Sequence, residues 1–98
     1  EDDLRRAWDI IADQAPTAVV VRFDASVASR VSETIWHPTQ RLTTLDDGSL
    51  EFRATVAGAI EIRLWILSWG DAVEVLEPDS LRKDVAQTHR RAADRYRS

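Results

Sequence analysis

Trp65-Ile66-Leu67-Ser68-Trp69-Gly70-Asp71-Ala72-Val73-Glu74-Val75-Leu76-Glu77-Pro78-Asp79-Ser80-Leu81-Arg82 reads as one helix end, one strand and one helix start. The apolar run stops at Gly70, because glycine enters the left-handed conformation that closes helices without a steric penalty. Val73 and Val75 make a short strand. Pro78 has no N–H to donate to a ladder and breaks it. Asp79 or Ser80 then caps a last helix, with Leu81, Val85, His89, Ala92 and Tyr96 as its inner stripe.

Upstream, Ile60 to Trp69 fits two periods. Ile62, Leu64 and Ile66 alternate as a strand would, while Ile60, Leu64 and Leu67 fit a helix. Length and the terminal Gly70 favour the helix. Before it, Leu50, Phe52, Ala54 and Val56 alternate with Glu51, Arg53 and Thr55, the pattern of a half-buried strand. Asp46-Asp47-Gly48-Ser49 is a hairpin turn joining it to a strand over Gln40 to Leu45. Trp36-His37-Pro38 ends a preceding helix that carries Val27, Val31 and Ile35 on one face, with Asp24 as its N-cap. Ala18-Val19-Val20-Val21-Arg22-Phe23 is β-branched and apolar on both faces, as a central strand requires. Residues 3–14 show helical spacing at Leu4, Ala7, Trp8 and Ile11, ending at Pro16.

The order is helix, then β-α-β-β-α-β, then helix. The expected fold class is α+β: a ferredoxin-like split β-α-β sandwich, with an N-terminal connector helix in residues 1–16 and a C-terminal helix closing the domain at 17–98. Right-handed crossovers make its first and last strands neighbours at or near the sheet centre.

Ninety-eight residues fit one domain with one core. No run is long and apolar enough to span a bilayer, and no secretory signal opens the chain. The chain has no cysteine, which excludes disulfides and thiolate metal sites and fits a cytoplasmic setting. It has no methionine and starts at Glu1, so it reads as a module of a longer protein. The net charge of −4 argues against bulk nucleic-acid binding. Charge is uneven, however. Arg82, Lys83, Arg90, Arg91, Arg95 and Arg97 face only Asp84 and Asp94 over the last helix.

Ferredoxin-like folds host many functions, so residue types must discriminate among them. Acylphosphatase-type catalysis needs an asparagine, and this chain has none. RNA-recognition motifs need a basic, glycine-rich context around their stacking aromatics, and Phe23 and Phe52 lack it. His37 and His89 have no third ligand at metal spacing. No serine has a base and an orienting partner in pattern. The chain is therefore expected not to be an enzyme, and to hold no cofactor and no metal.

At Trp36-His37-Pro38-Thr39-Gln40, Asp47-Gly48-Ser49-Leu50, Trp65-Ile66-Leu67-Ser68-Trp69-Gly70, Val73-Glu74-Val75-Leu76-Glu77-Pro78 and Leu81-Arg82, the chain resembles the WCX domain. That is the C-terminal extension of WYL-domain bacterial transcription regulators. The resemblance runs from about Ala18 to Tyr96. It implies a DNA-binding parent chain, with a winged helix-turn-helix and a WYL domain as partners within it. It also implies a part in effector sensing, with single-stranded DNA as one known effector of such proteins, and a part in homodimerisation. No membrane partner is expected. A pure oligomerisation module with no ligand of its own is the alternative.

A nucleic-acid effector needs cations for phosphates and flat groups for bases. Trp36, His37, Gln40 and Arg41 supply both kinds on one corner, and Arg63 adds a cation on the second helix. These five are the candidate effector residues. Structural readings compete: Trp36 as a core plug, Gln40 as a partner for turn backbone, Arg22 and Arg53 as solvated groups on an open sheet face.

Overall fold

The computed structural model describes residues 16–57 and 60–97. The connector helix expected within residues 1–16 lies outside the described residues. The elements are β1 (Thr17–Phe23), α1 (Ala25–Ser32), β2 (Arg41–Thr44), β3 (Leu50–Val56), α2 (Ile60–Leu67), β4 (Val73–Glu77) and α3 (Asp79–Asp94). The strands form one antiparallel sheet in the order β2-β3-β1-β4. Among the described residues the architecture is α+β, with three helices against four strands. β1 and β4 are neighbours, as the crossover rule requires. The sheet centre belongs to β1 and β3, however, and β4 is an edge strand, because β3 occupies the other side of β1.

Alternation along the strands sorts the side chains. Val19, Val21 and Phe23 of β1 are fully buried, as is Phe52 of β3, with Leu50, Ala54, Val56 and the β4 residue Val75 close behind. Register sets Val21 beside Phe52 and Val75, and Phe23 beside Leu50 and Val73. The same core takes Val27 and Val31 from α1, Ile62 and Ile66 from α2, and Leu81 and Val85 from α3. All three helices thus serve one face of the sheet. Each fully buried aliphatic or aromatic side chain contributes roughly 1.5–3 kcal/mol of transfer free energy.

Local chemistry explains the punctuation. The Asp24 carboxylate accepts the Ser26 N–H at 3.0 Å and caps α1. In the hairpin, Leu45 N donates to Ser49 O at 2.8 Å, and Gly48 sits at φ +88°, where a side chain would be strained. Gly70, at φ +63°, closes the α2 segment and opens one 3₁₀ turn, Gly70–Ala72, into β4. Asp24 N donates to Ala72 O at 2.8 Å, tying the exit of β1 to the entry of β4.

Four details depart from the sequence reading. α1 ends at Ser32, so Ile35 falls outside the helix and is 65 % exposed. The buried face of α2 is Ile62 and Ile66, four residues apart, while Leu64 is 55 % exposed. The cap of α3 is Pro78 with no side-chain bond, not Asp79 or Ser80. Its inner stripe stops early. Leu81 and Val85 are buried, but Ala92 is exposed and Tyr96 is 88 % exposed, because α3 outruns the sheet it packs on.

Candidate functional site

The corner from Thr34 to Gln40 is built by its own polar groups. Gln40 Oε1 accepts the backbone N–H of Trp36 at 2.5 Å and of His37 at 3.1 Å, while its Nε2 donates to Thr34 O at 3.2 Å. One side-chain amide therefore satisfies three backbone groups that neither helix nor strand can reach. Thr39 ties the corner to β3. Its hydroxyl accepts the Thr55 N–H at 2.9 Å and lies 3.2 Å from the Thr55 carbonyl, standing in for a ladder partner before β2 begins.

His37 is 2 % exposed. The Thr39 N–H donates to its Nδ1 at 3.2 Å, and the Thr39 hydroxyl lies 2.8 Å from the same atom. Nδ1 is thus held by both polar groups of one residue, which fixes the orientation of the ring. Trp36 is half-buried. Its indole N–H donates to Val31 O at 2.9 Å, and its ring lies 5.2 Å from Trp65 and 6.1 Å from Trp69. Trp65 in turn sits 5.1 Å from Phe52 and 5.5 Å from Phe23. Such offset and edge contacts contribute about 0.5–1.5 kcal/mol each beyond burial. Trp36 plugs the helix layer, and its ring faces other rings.

Arg63 stands elsewhere. Its Nε donates to Asp84 Oδ2 at 2.6 Å and its Nη2 to Thr88 Oγ1 at 3.0 Å, clipping α2 to α3. Arg41, at the start of β2, shares the face of Arg53, which alternation turns away from the buried Phe52 and the helices. The structure therefore brings Trp36, His37 and Gln40 together, sets Arg41 beyond them on the face of the sheet that none of the described helices covers, here called the helix-free face, and puts Arg63 in the helix layer across the sheet.

The helix-free face is charged. Arg22 bonds Glu74 at 3.1 Å, and Arg53 pairs with Glu51. Register places Arg22 between Glu51 and Glu74, and Arg41 directly opposite Arg53. Arg41 is in no ion pair with a described residue. The Arg41–Arg53 pairing is a functional candidate that was countable from the sequence: stepping outward from the hairpin turn pairs 45 with 49, 44 with 50 and 41 with 53.

A cavity of about 160 Å³ at the end of the sheet is lined by Arg22, Asp24, Asp47, Ser49, Asp71 and Glu74, among others. Two of its acids, Asp24 and Asp47, are already engaged. The Ser26 hydroxyl, then the Ser26 N–H, hold the Asp24 carboxyl below the usual carboxylate range. The Ser49 hydroxyl and N–H do the same for Asp47. Among the described residues, no group of three or more His, Asp or Glu is placed to hold a metal ion, and no helix is long and apolar enough to cross a membrane.

Comparison with known proteins adds one finding. The family model described as the WCX domain matches residues 15–93. None of the curated proteins compared with the chain matches it. The match runs from the approach to β1 to the last turn of α3 and takes in the corner, the hairpin and the β4–α3 junction; the chain belongs to the WCX domain family.

Proposed function

We propose that this domain is the regulatory part of a WYL-type bacterial transcription regulator. In that role it contributes to effector sensing and dimerisation beside a WYL domain and a winged helix-turn-helix of the same parent chain. The family match over residues 15–93 is the observation that carries this reading. The strand order β2-β3-β1-β4, with α1 and α2 in the two crossovers, supports the ferredoxin-like split β-α-β arrangement.

The chemistry supports a scaffold that binds rather than a catalyst. The polar groups of the Trp36–Gln40 corner bond one another and backbone, and the hydroxyl beside His37, that of Thr39, is engaged with the Thr55 backbone. The helix-free face presents arginines with no covering helix among the described residues, as a surface for an anionic effector such as single-stranded DNA would. That face carries Arg22, Arg41 and Arg53 beside Glu51 and Glu74, a charge pattern that favours sensing of an anion over pure oligomerisation.

The test is promoter binding by the parent regulator with and without residues 15–93, each titrated with short single-stranded DNA. The truncated regulator should still bind its promoter and lose its response to the oligonucleotide. A truncated regulator that responds like the parent overturns the reading.

A further inference from the structure

Arg41 and Arg53 are direct cross-strand partners on the helix-free face. Side chains so placed start about 4.5–5.5 Å apart at Cβ, and like charges directly opposite destabilise a sheet. Elsewhere on this face arginine alternates with carboxylate: register runs Glu51, Arg22, Glu74 across three strands. At the β2–β3 corner the alternation fails. Arg53 pairs with Glu51, which also faces Arg22, and Arg41 has no carboxylate among the described residues. Thr43, exposed one step along β2 on the same face, adds a hydroxyl.

We propose that Arg41 and Arg53 form a clamp for one phosphate group. The geometry selects the chemistry. A carboxylate offers two coplanar oxygens, which one guanidinium fork grips bidentately. A tetrahedral phosphate offers oxygens to two forks converging from adjacent strands, and a doubly charged one offsets the repulsion between them. The clamp gives the sensing surface its first named contact and rests on that reading of the open face. The phosphate is either free, as in inorganic phosphate or a mononucleotide, or one unit of a polynucleotide backbone.

The clamp makes an unusual pair of demands on the same variant. Without ligand, Arg41→Thr removes a like-charge pair and should melt at or above the temperature of the wild-type chain. With ligand, it should lose stabilisation. The measurement is thermal unfolding of the 98-residue chain in sodium phosphate against sodium chloride at equal ionic strength, for wild type, Arg41→Thr, Arg53→Thr and Arg41→Lys. Phosphate should stabilise wild type beyond chloride, with apparent affinity about tenfold weaker in either threonine variant. Arg41→Lys, which keeps the charge and loses the fork, should fall between.

A second arm uses a 12-mer oligothymidylate. Tighter binding per phosphate than inorganic phosphate identifies a backbone; equal binding identifies a free phosphate. Wild type that responds alike to phosphate and chloride, or variants that respond as wild type does, overturns the clamp. That failure leaves the regulatory reading standing, because the latter is judged on promoter binding by the parent protein.

Discussion

Arg63 on α2 and Asp84 on α3 meet at 2.6 Å, twenty-one residues apart in sequence and joined side by side in space. The second prong of the Arg63 fork, on Thr88, makes the clip two-pointed. Both partners are partly solvated, so the ion pair alone is modest. Arg63→Ala should destabilise the chain by about 0.5–1.5 kcal/mol in urea unfolding. Arg63→Lys should recover only part, because an ammonium cannot reproduce the fork. Full recovery by lysine would show that only the charge matters.

Gln40 holds the Trp36–His37 corner by its acceptor oxygen. Gln40→Ala leaves two partly buried N–H groups without a partner and should cost about 1–3 kcal/mol. Gln40→Glu keeps the acceptor but turns a second oxygen towards the Thr34 carbonyl, so it should fall between alanine and wild type. Chemical denaturation of the three proteins orders them. Alanine at wild-type stability would remove the corner's proposed support.

The face of α2 that meets the sheet is Ile62 and Ile66, with Leu64 outward. Ile66→Ala should cost about 2–5 kcal/mol, because it opens a cavity beside the sheet core. Leu64→Ala should change stability by less than about 0.5 kcal/mol. Equal costs would mean that the helix is rotated from the position described.

Acid should weaken the turn and cap that Asp24 and Asp47 hold. Both carboxyls have folded pKa values depressed by hydrogen bonds from Ser26 and Ser49, respectively. A depressed carboxyl stabilises the fold fully above its unfolded pKa and loses that contribution as pH falls through the folded value. The loss should begin near pH 4 and continue downward. Asp24→Asn keeps an N-cap acceptor without a titrating group. Its urea midpoint should fall less steeply between pH 5 and pH 2.5 than that of wild type. Parallel acid limbs would contradict the assignment to Asp24.

Element types were legible because their signals are local. Alternation over Leu50–Val56, glycine at the hairpin, and β-branched residues over Val19–Val21 all name a state within a few residues. Facing was less legible. Leu64 belongs equally to a strand-like and a helix-like period, and only the position of the sheet decides that Ile62 and Ile66 turn inward. Tyr96 continues the α3 spacing past the end of its support, and nothing local marks where the sheet stops. Of the candidate site residues, Trp36 and Gln40 take the structural roles the sequence offered them, core plug and partner for turn backbone, but the backbone atoms they bond, at the end of α1 and in a non-repeating turn, show only in three dimensions. Arg63 is separated from the corner because helix and strand place their side chains on different layers. Arg53 opposite Arg41 was readable by counting from the turn, a step that composition and spacing alone do not prompt.

The most direct test of a binding rather than catalytic role titrates a labelled single-stranded oligonucleotide against the parent regulator and its Arg41→Ala variant across a salt series. The expected result is weaker binding for the variant across unrelated sequences, with a salt slope flatter by about one unit, the signature of one lost phosphate contact. Superimposed isotherms and equal slopes would contradict a role for the helix-free face in sensing.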